Sequence, residues 1–115
     1  MTFGLFYDFC LSLSGEEPTT PFDQNTLVFK TFGKIFALSN AEAFKFINLK
    51  CAPERSMELR EKYSGIKPAF HMNKTHWNSI YVGEDLEDQM IYDLIKHSFE
   101  LVTKSLPKKH RSTKV

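Results

Sequence analysis

The sequence predicts an α+β fold, an antiparallel sheet with helices packed on one face, in the order α-β-β-β-α-β-β-α. Three observations predict it. Apolar residues recur at three- and four-residue spacings near the start, middle and end of the chain. Five short runs of β-branched and aromatic residues lie between these segments, the first three joined by turn signals alone. The chain has 115 residues, 42% hydrophobic and 25% charged, which suffices for one core. Gathering all three helices on one sheet face is then the simplest way to bury their apolar stripes.

The elements follow in order. Thr2 can cap a first helix whose stripe is Phe3, Phe6, Tyr7, Cys10 and Leu13, and which Ser14-Gly15 and Pro18 bring to an end. Strands are expected over Thr26 to Phe32, Lys34 to Ser39 and Phe44 to Cys51, separated by Phe32-Gly33 and Ser39-Asn40-Ala41. Pro53 at a first helical position, Glu54 in the first turn and Ser64-Gly65 at the stop mark a short second helix. Its start is weakly capped, because Cys51-Ala52 offers no side-chain oxygen. Ile66 to Asn73 and Trp77 to Val82 read as strands around an Asn73-Lys74-Thr75-His76 turn, with Pro68 at an edge or strand entry. Glu84 or Asp85 opens the last helix, which runs through Leu86, Met90, Ile91, Leu94, Ile95, Ser98, Val102 and Leu106 until Pro107. Residues 1–107 are read as a single domain and 108–115 as a basic disordered tail.

Alternation assigns faces. Leu27 and Phe29, Phe36 and Leu38, Ile47 and Leu49 are expected to share the buried parity. Val28 and Lys30, Ile35 and Ala37, Phe46, Asn48 and Lys50 are expected on the opposite, open face. That second set mixes bases with apolar and aromatic side chains.

A net charge of +1 conceals a strong segregation. Residues 1–25 carry −4 and 84–103 carry −5, whereas 26–83 and 104–115 carry +5 each. A polyanion partner is therefore compatible with the composition. Cys10 and Cys51 have no paired spacing and read as small core residues of a reducing compartment. The apolar start, Met1 to Leu13, holds Asp8, lacks a basic flank and is too short to span a bilayer, so no membrane partner and a cytoplasmic location are expected.

Six strings then stand out in order: Pro21-Phe22-Asp23, Leu27-Val28-Phe29-Lys30, Gly33-Lys34-Ile35-Phe36-Ala37, Leu49-Lys50-Cys51-Ala52-Pro53-Glu54, His71-Met72-Asn73-Lys74-Thr75-His76-Trp77-Asn78 and Ser98-Phe99-Glu100-Leu101-Val102. Together they resemble the MmcQ/YjbR family over about residues 3 to 107, the His71–Asn78 string being the most specific. The resemblance implies a small cytoplasmic bacterial protein with a CyaY-like (frataxin-like) fold, and DNA binding through a double-wing arrangement. Ala52 stands where the family often has a capping Asp, and Phe99 where it often has Tyr.

The residues themselves give the DNA reading its chemistry. Lys30, Lys34, Lys50, Lys67 and Lys74 would neutralise phosphates, and Asn73, His71 and His76 would add hydrogen bonds. Trp77 would stack on an unpaired base, unless it serves only to pack the sheet. Turns at Phe32-Gly33-Lys34 and Asn73 to His76 would form the wings. Weak, largely sequence-tolerant binding by a monomer is expected. The alternative is an adaptor module that binds a protein or small ligand on the same open face, without nucleic acid. No metal, cofactor or catalytic residue is expected: there is no Cys-x-x-Cys, His-Glu-x-x-His, nucleophile elbow or phosphate loop, and Cys51 with His71 makes no constellation.

Overall fold

The structure, a computed structural model, describes residues 1–69 and 72–106. His71 of the expected site, Phe70 and the 108–115 tail therefore lie outside the described residues. The first helix, α1 (Phe3–Ser14), starts where Thr2 Oγ1 accepts the Leu5 N–H at 3.2 Å. It ends at Gly15, whose φ of 69° is the left-handed region that glycine enters without a Cβ penalty and whose N–H returns to Leu11 O at 2.7 Å.

Three strands follow, β1 (Thr26–Thr31), β2 (Lys34–Asn40) and β3 (Phe46–Lys50), then α2 (Pro53–Lys62), β4 (Ile66–Pro68), β5 (Trp77–Tyr81) and α3 (Asp88–Lys104). The expected element order is realised. All neighbouring strands are antiparallel, in the spatial order β1-β2-β3-β5-β4. The three helices lie against one face, α3 over β1, β2 and β3, α1 beside β1 and α2 beside β4. Between them lie Phe6, Phe29, Phe36, Ile47, Leu49, Ile66, Ile80, Ile91 and Ile95, all fully buried.

The face assignment of β2 needs correction. A bulge shifts the β1/β2 register, so that Phe29 opposes Ala37 while Lys30 opposes Ile35, and Phe36 is the extra residue. Two consecutive side chains, Phe36 and Ala37, thereby enter the core. Beyond the bulge the parity is reversed from simple alternation. Ala37 pairs with Leu49 on the helix face, and Leu38 pairs with Asn48 on the open one. Ser98 of α3 repairs the local backbone: its hydroxyl donates to Phe36 O at 2.5 Å and accepts the Lys50 N–H at 2.8 Å. Phe36 meets the ring of Phe99 edge-on at 5.1 Å, so the phenyl ring of Phe99 is a packing group.

Several boundaries also move. The third strand begins at Phe46, not Phe44, because Phe44 adopts a φ of 36° and sets its ring 5.5 Å from Phe3 and 5.7 Å from Phe6. The fourth strand is three residues long rather than reaching Asn73. The last helix starts at Asp88. Asp85 instead accepts the Ser64 and Gly65 N–H groups, both at 2.9 Å, and these bonds, that from Gly65 foremost, hold its carboxyl below the ordinary range.

The missing cap of α2 is supplied across the fold. Ala52 has no side-chain cap, but its N–H donates to His97 Nε2 at 3.3 Å. An accepting Nε2 requires the neutral ring with its proton on Nδ1. Desolvation first, then the charges of Arg55 and Lys104, hold His97 below its usual 6.5 against the opposing pull of Glu100. The unfolded chain therefore takes up this proton at higher pH than the fold does. Stability is at its full value above about 6.5 and is lost as pH falls from there through the folded pKa. Denaturant midpoints measured between pH 8 and pH 5 should show this loss in the wild type, and His97→Gln, which keeps an acceptor but cannot titrate, should lack that component. Equal slopes for the two proteins would remove His97 from the cap.

Candidate nucleic-acid interface

Registered partners in a sheet share a face, so pairing maps the face turned away from the helices; its central row is not solvent-open throughout, because Val28 is fully buried and Asn48 and Ser79 are buried too. Val28, Leu38, Asn48, Ser79 and Lys67 form one row across all five strands. Two residues to one side lie Lys30 opposite Ile35, and Lys50 opposite Trp77. On the other side lie Thr26 opposite Asn40, and Phe46 opposite Tyr81. Lys30, Lys50, Lys67 and half-buried Trp77 are thus brought onto one face. The rings of Phe46 and Tyr81 stand 5.2 Å apart, and the Lys67 ammonium lies 5.2 Å from the Tyr81 ring centroid.

Charge follows the layers. The five described strands contain Lys30, Lys34, Lys50 and Lys67 and no Asp or Glu. The carboxylates of α1 and α3, namely Asp8, Asp88, Asp93 and Glu100, belong to the helical layer on the far side.

The other expected site residues sit on the two turns. Lys34 opposite Thr31 closes the first hairpin on the parity opposite to Lys30. Phe32 and Gly33, with φ of 49° and 80°, form the two-residue turn there, and the Phe32 N–H donates to Glu16 Oε2 at 3.0 Å. Asn73 uses its side chain internally, Oδ1 accepting the Thr75 N–H at 2.9 Å, while its backbone carbonyl accepts from His76 and Trp77. His76 is exposed, and its carbonyl accepts the Cys51 N–H at 2.8 Å. Arg60 of α2 then pins this turn. Its guanidinium donates to Asn78 Oδ1 at 2.7 Å, to Trp77 O at 3.4 Å and to Lys74 O. Asn78 in turn donates to Ser56 Oγ at 3.2 Å on the helix face. Much of the most specific string is therefore the architecture of one turn. Both turns are tethered to the body of the fold, and the sheet between them carries the bases.

Sequence reasoning missed a cleft of about 530 Å³ on the open face, whose walls include Phe22, Leu38, Lys45, Phe46, Asn48 and Met72. The loop bearing Phe22 is set by Asp23. Its carboxylate accepts the Asn25 N–H at 2.9 Å, and the Thr26 N–H and hydroxyl at 2.8 and 2.9 Å. These bonds, that from Asn25 foremost, depress its pKa. The same segment pairs Thr19 with Val28 along the outer edge of β1. The Pro21-Phe22-Asp23 string was the available signal, but only the reversed parity of Leu38 places the cleft wall opposite it.

Among the described residues, no group of three or more His, Cys, Asp and Glu side chains could hold a metal ion, and no helix is long and apolar enough to cross a membrane. Burial in the core raises the pKa of the Cys10 thiol, which suits a packing residue.

The family model described as YjbR matches residues 11–101. The chain is 43% identical over 100 residues to the uncharacterized protein YbdF of Escherichia coli O157:H7, covering 86% of this chain and 82% of that protein. It is 30% identical over 112 residues to the uncharacterized protein YjbR of Escherichia coli strain K12, covering 96% and 95%. Among solved structures, Deinococcus radiodurans protein DR2400, a DUF419 domain, superposes with a TM-score of 0.89 at 32% identity, covering 97% of this chain and 86% of that one. A Pseudomonas syringae protein superposes at 0.76 with 30% identity, covering 89% and 99%.

Proposed function

This chain belongs to the YjbR family, and within that family we propose that it is a non-enzymatic DNA-binding protein that engages single-stranded or unpaired DNA across its open sheet face. The observation that carries this reading is the sorting of charge. Lys30, Lys50 and Lys67 share a face with Trp77, Tyr81 and Phe46, and the strands hold no carboxylate. Lysines neutralise phosphates without reading sequence, and exposed Phe46 with half-buried Trp77 and Tyr81 offers ring surface on which any base can stack. A sheet face with its helices packed behind it presents no helix to enter a major groove, so unpaired strands fit it better than a duplex does.

The reading is of a monomer that binds without transforming its ligand. Titration of labelled single-stranded and duplex DNA at two salt concentrations tests it. The expected result is tighter binding of the single strand, weakening steeply with salt, because each neutralised phosphate contributes about −0.7 to the slope of log affinity against log salt. Absence of binding to either form at low salt would overturn it. The cleft beside Phe46 favours a second reading, a protein or small-ligand adaptor on the same face without nucleic acid.

A further inference from the structure

The open-face cleft holds a buried donor with a poor partner. Asn48 is only 6% exposed, and its side-chain oxygen accepts the Ser79 hydroxyl at 2.5 Å. Among the described residues, its amide nitrogen reaches only the Met72 thioether sulfur, at 3.5 Å. A thioether is a weak acceptor, and a buried amide N–H without a good one is costly. The surrounding walls are apolar and aromatic, with Leu38 beside Asn48 in the same row and Phe22 and Phe46 both lining the space. Phe22 is 67% and Phe46 38% exposed, unusual for rings in a chain with so well filled a core. Lys45 stands at the cleft, and Lys67 and Lys50 lie on the same sheet face.

These features fit a flat, largely apolar ring that carries a carbonyl acceptor and is attached to an anion. We infer that the cleft takes one unpaired base of a bound DNA strand. The base packs against Phe46 and Phe22, its exocyclic carbonyl accepts the Asn48 amide N–H in place of the Met72 sulfur, and a neighbouring phosphate is held by Lys45. Thymine, cytosine and guanine carry such a carbonyl; adenine does not. The inference rests on the proposed DNA binding but goes further, because lysines and a half-buried Trp77 alone would need no cleft.

The experiment compares the full chain with Phe22→Ala and Phe46→Ala, two exposed positions whose truncation leaves the core intact. The probes are a short oligothymidylate and a strand of equal length made wholly of abasic sugar-phosphate. The inference expects each variant to lose roughly 5- to 150-fold in affinity for oligothymidylate, the range that base–aromatic stacking covers, with affinity for the abasic strand unchanged. It also expects thymidine monophosphate to shift the Met72 ε-methyl resonance, and an abasic sugar-phosphate not to. If the wild type binds oligothymidylate and the variants bind it equally well, the cleft inference is overturned while DNA binding stands. If the wild type binds neither strand at low salt, the DNA reading itself falls. A Met72 shift with thymidine monophosphate in that case would leave a nucleotide pocket without strand binding, and no shift would remove the cleft as well.

Discussion

Replacing Phe36 by alanine is expected to destabilise the protein by about 3–5 kcal/mol, which is a large share of the roughly 5–15 kcal/mol available to a domain of this size. The ring is fully buried, meets Phe99 edge-on at 5.1 Å and lies 6.4 Å from Phe29, so its removal opens a cavity between the sheet and α3 that neither neighbour can fill. The same bulge makes a paired expectation. Ala37→Leu should also destabilise, by about 1–3 kcal/mol, because Ala37 is fully buried opposite Phe29 and Leu49 and cannot be enlarged without strain. Under simple alternation Ala37 would face outward and accept leucine readily. Urea unfolding of both variants decides the matter, and a tolerated Ala37→Leu would contradict the reversed parity of β2.

The second large effect concerns binding. The triple charge reversal Lys30→Glu, Lys50→Glu, Lys67→Glu is expected to abolish detectable binding of single-stranded DNA at moderate salt. Three phosphate contacts correspond to a salt slope of about −2, and hydrogen bonds to charged groups contribute on the order of 1.5–3 kcal/mol each. Fold stability should change little by comparison, because all three side chains lie on the face away from the helices and Lys67 gives up a contact with the Tyr81 ring. Lys96→Glu is the matched control. It lies on α3, in the layer on the other side of the sheet, and should leave affinity and salt slope as they are. Equal binding by the triple variant and the wild type would detach these lysines from the proposal.

Local signals reported much of this fold because they act over a few residues. Thr2 and Gly15 bracket α1 through bonds made within one helical turn, and Phe32-Gly33 turns the first hairpin through its own backbone angles. Strand identity and the gathering of helices on one face followed from periodicity and from the need of three apolar stripes for a shared cover. The six strings in order were likewise sufficient to indicate the family. The region from Asn73 to Asn78 carries a structural role that no local signal announces. Asn73 and Asn78 build and anchor a turn with Arg60 and Ser56, residues that precede it by more than ten positions.

The sequence by itself determined the elements, their order, the family and the segregation of charge into a basic centre with acidic flanks. Tertiary structure decided what depends on partners distant along the chain. His97 completes the start of α2 from 45 residues away, and Ser98 bonds Phe36 O from 62 residues away. The bulge at Phe36 exists because β1 and β2 pair in a register that leaves one residue over, and alternation within a single strand contains no trace of that remainder. It turned Leu38 outward next to Asn48, and with the loop of Phe22 it formed a cleft beside the basic strands. The basic centre was legible as a sum of charges; its position on one open face came from the pairing of strands.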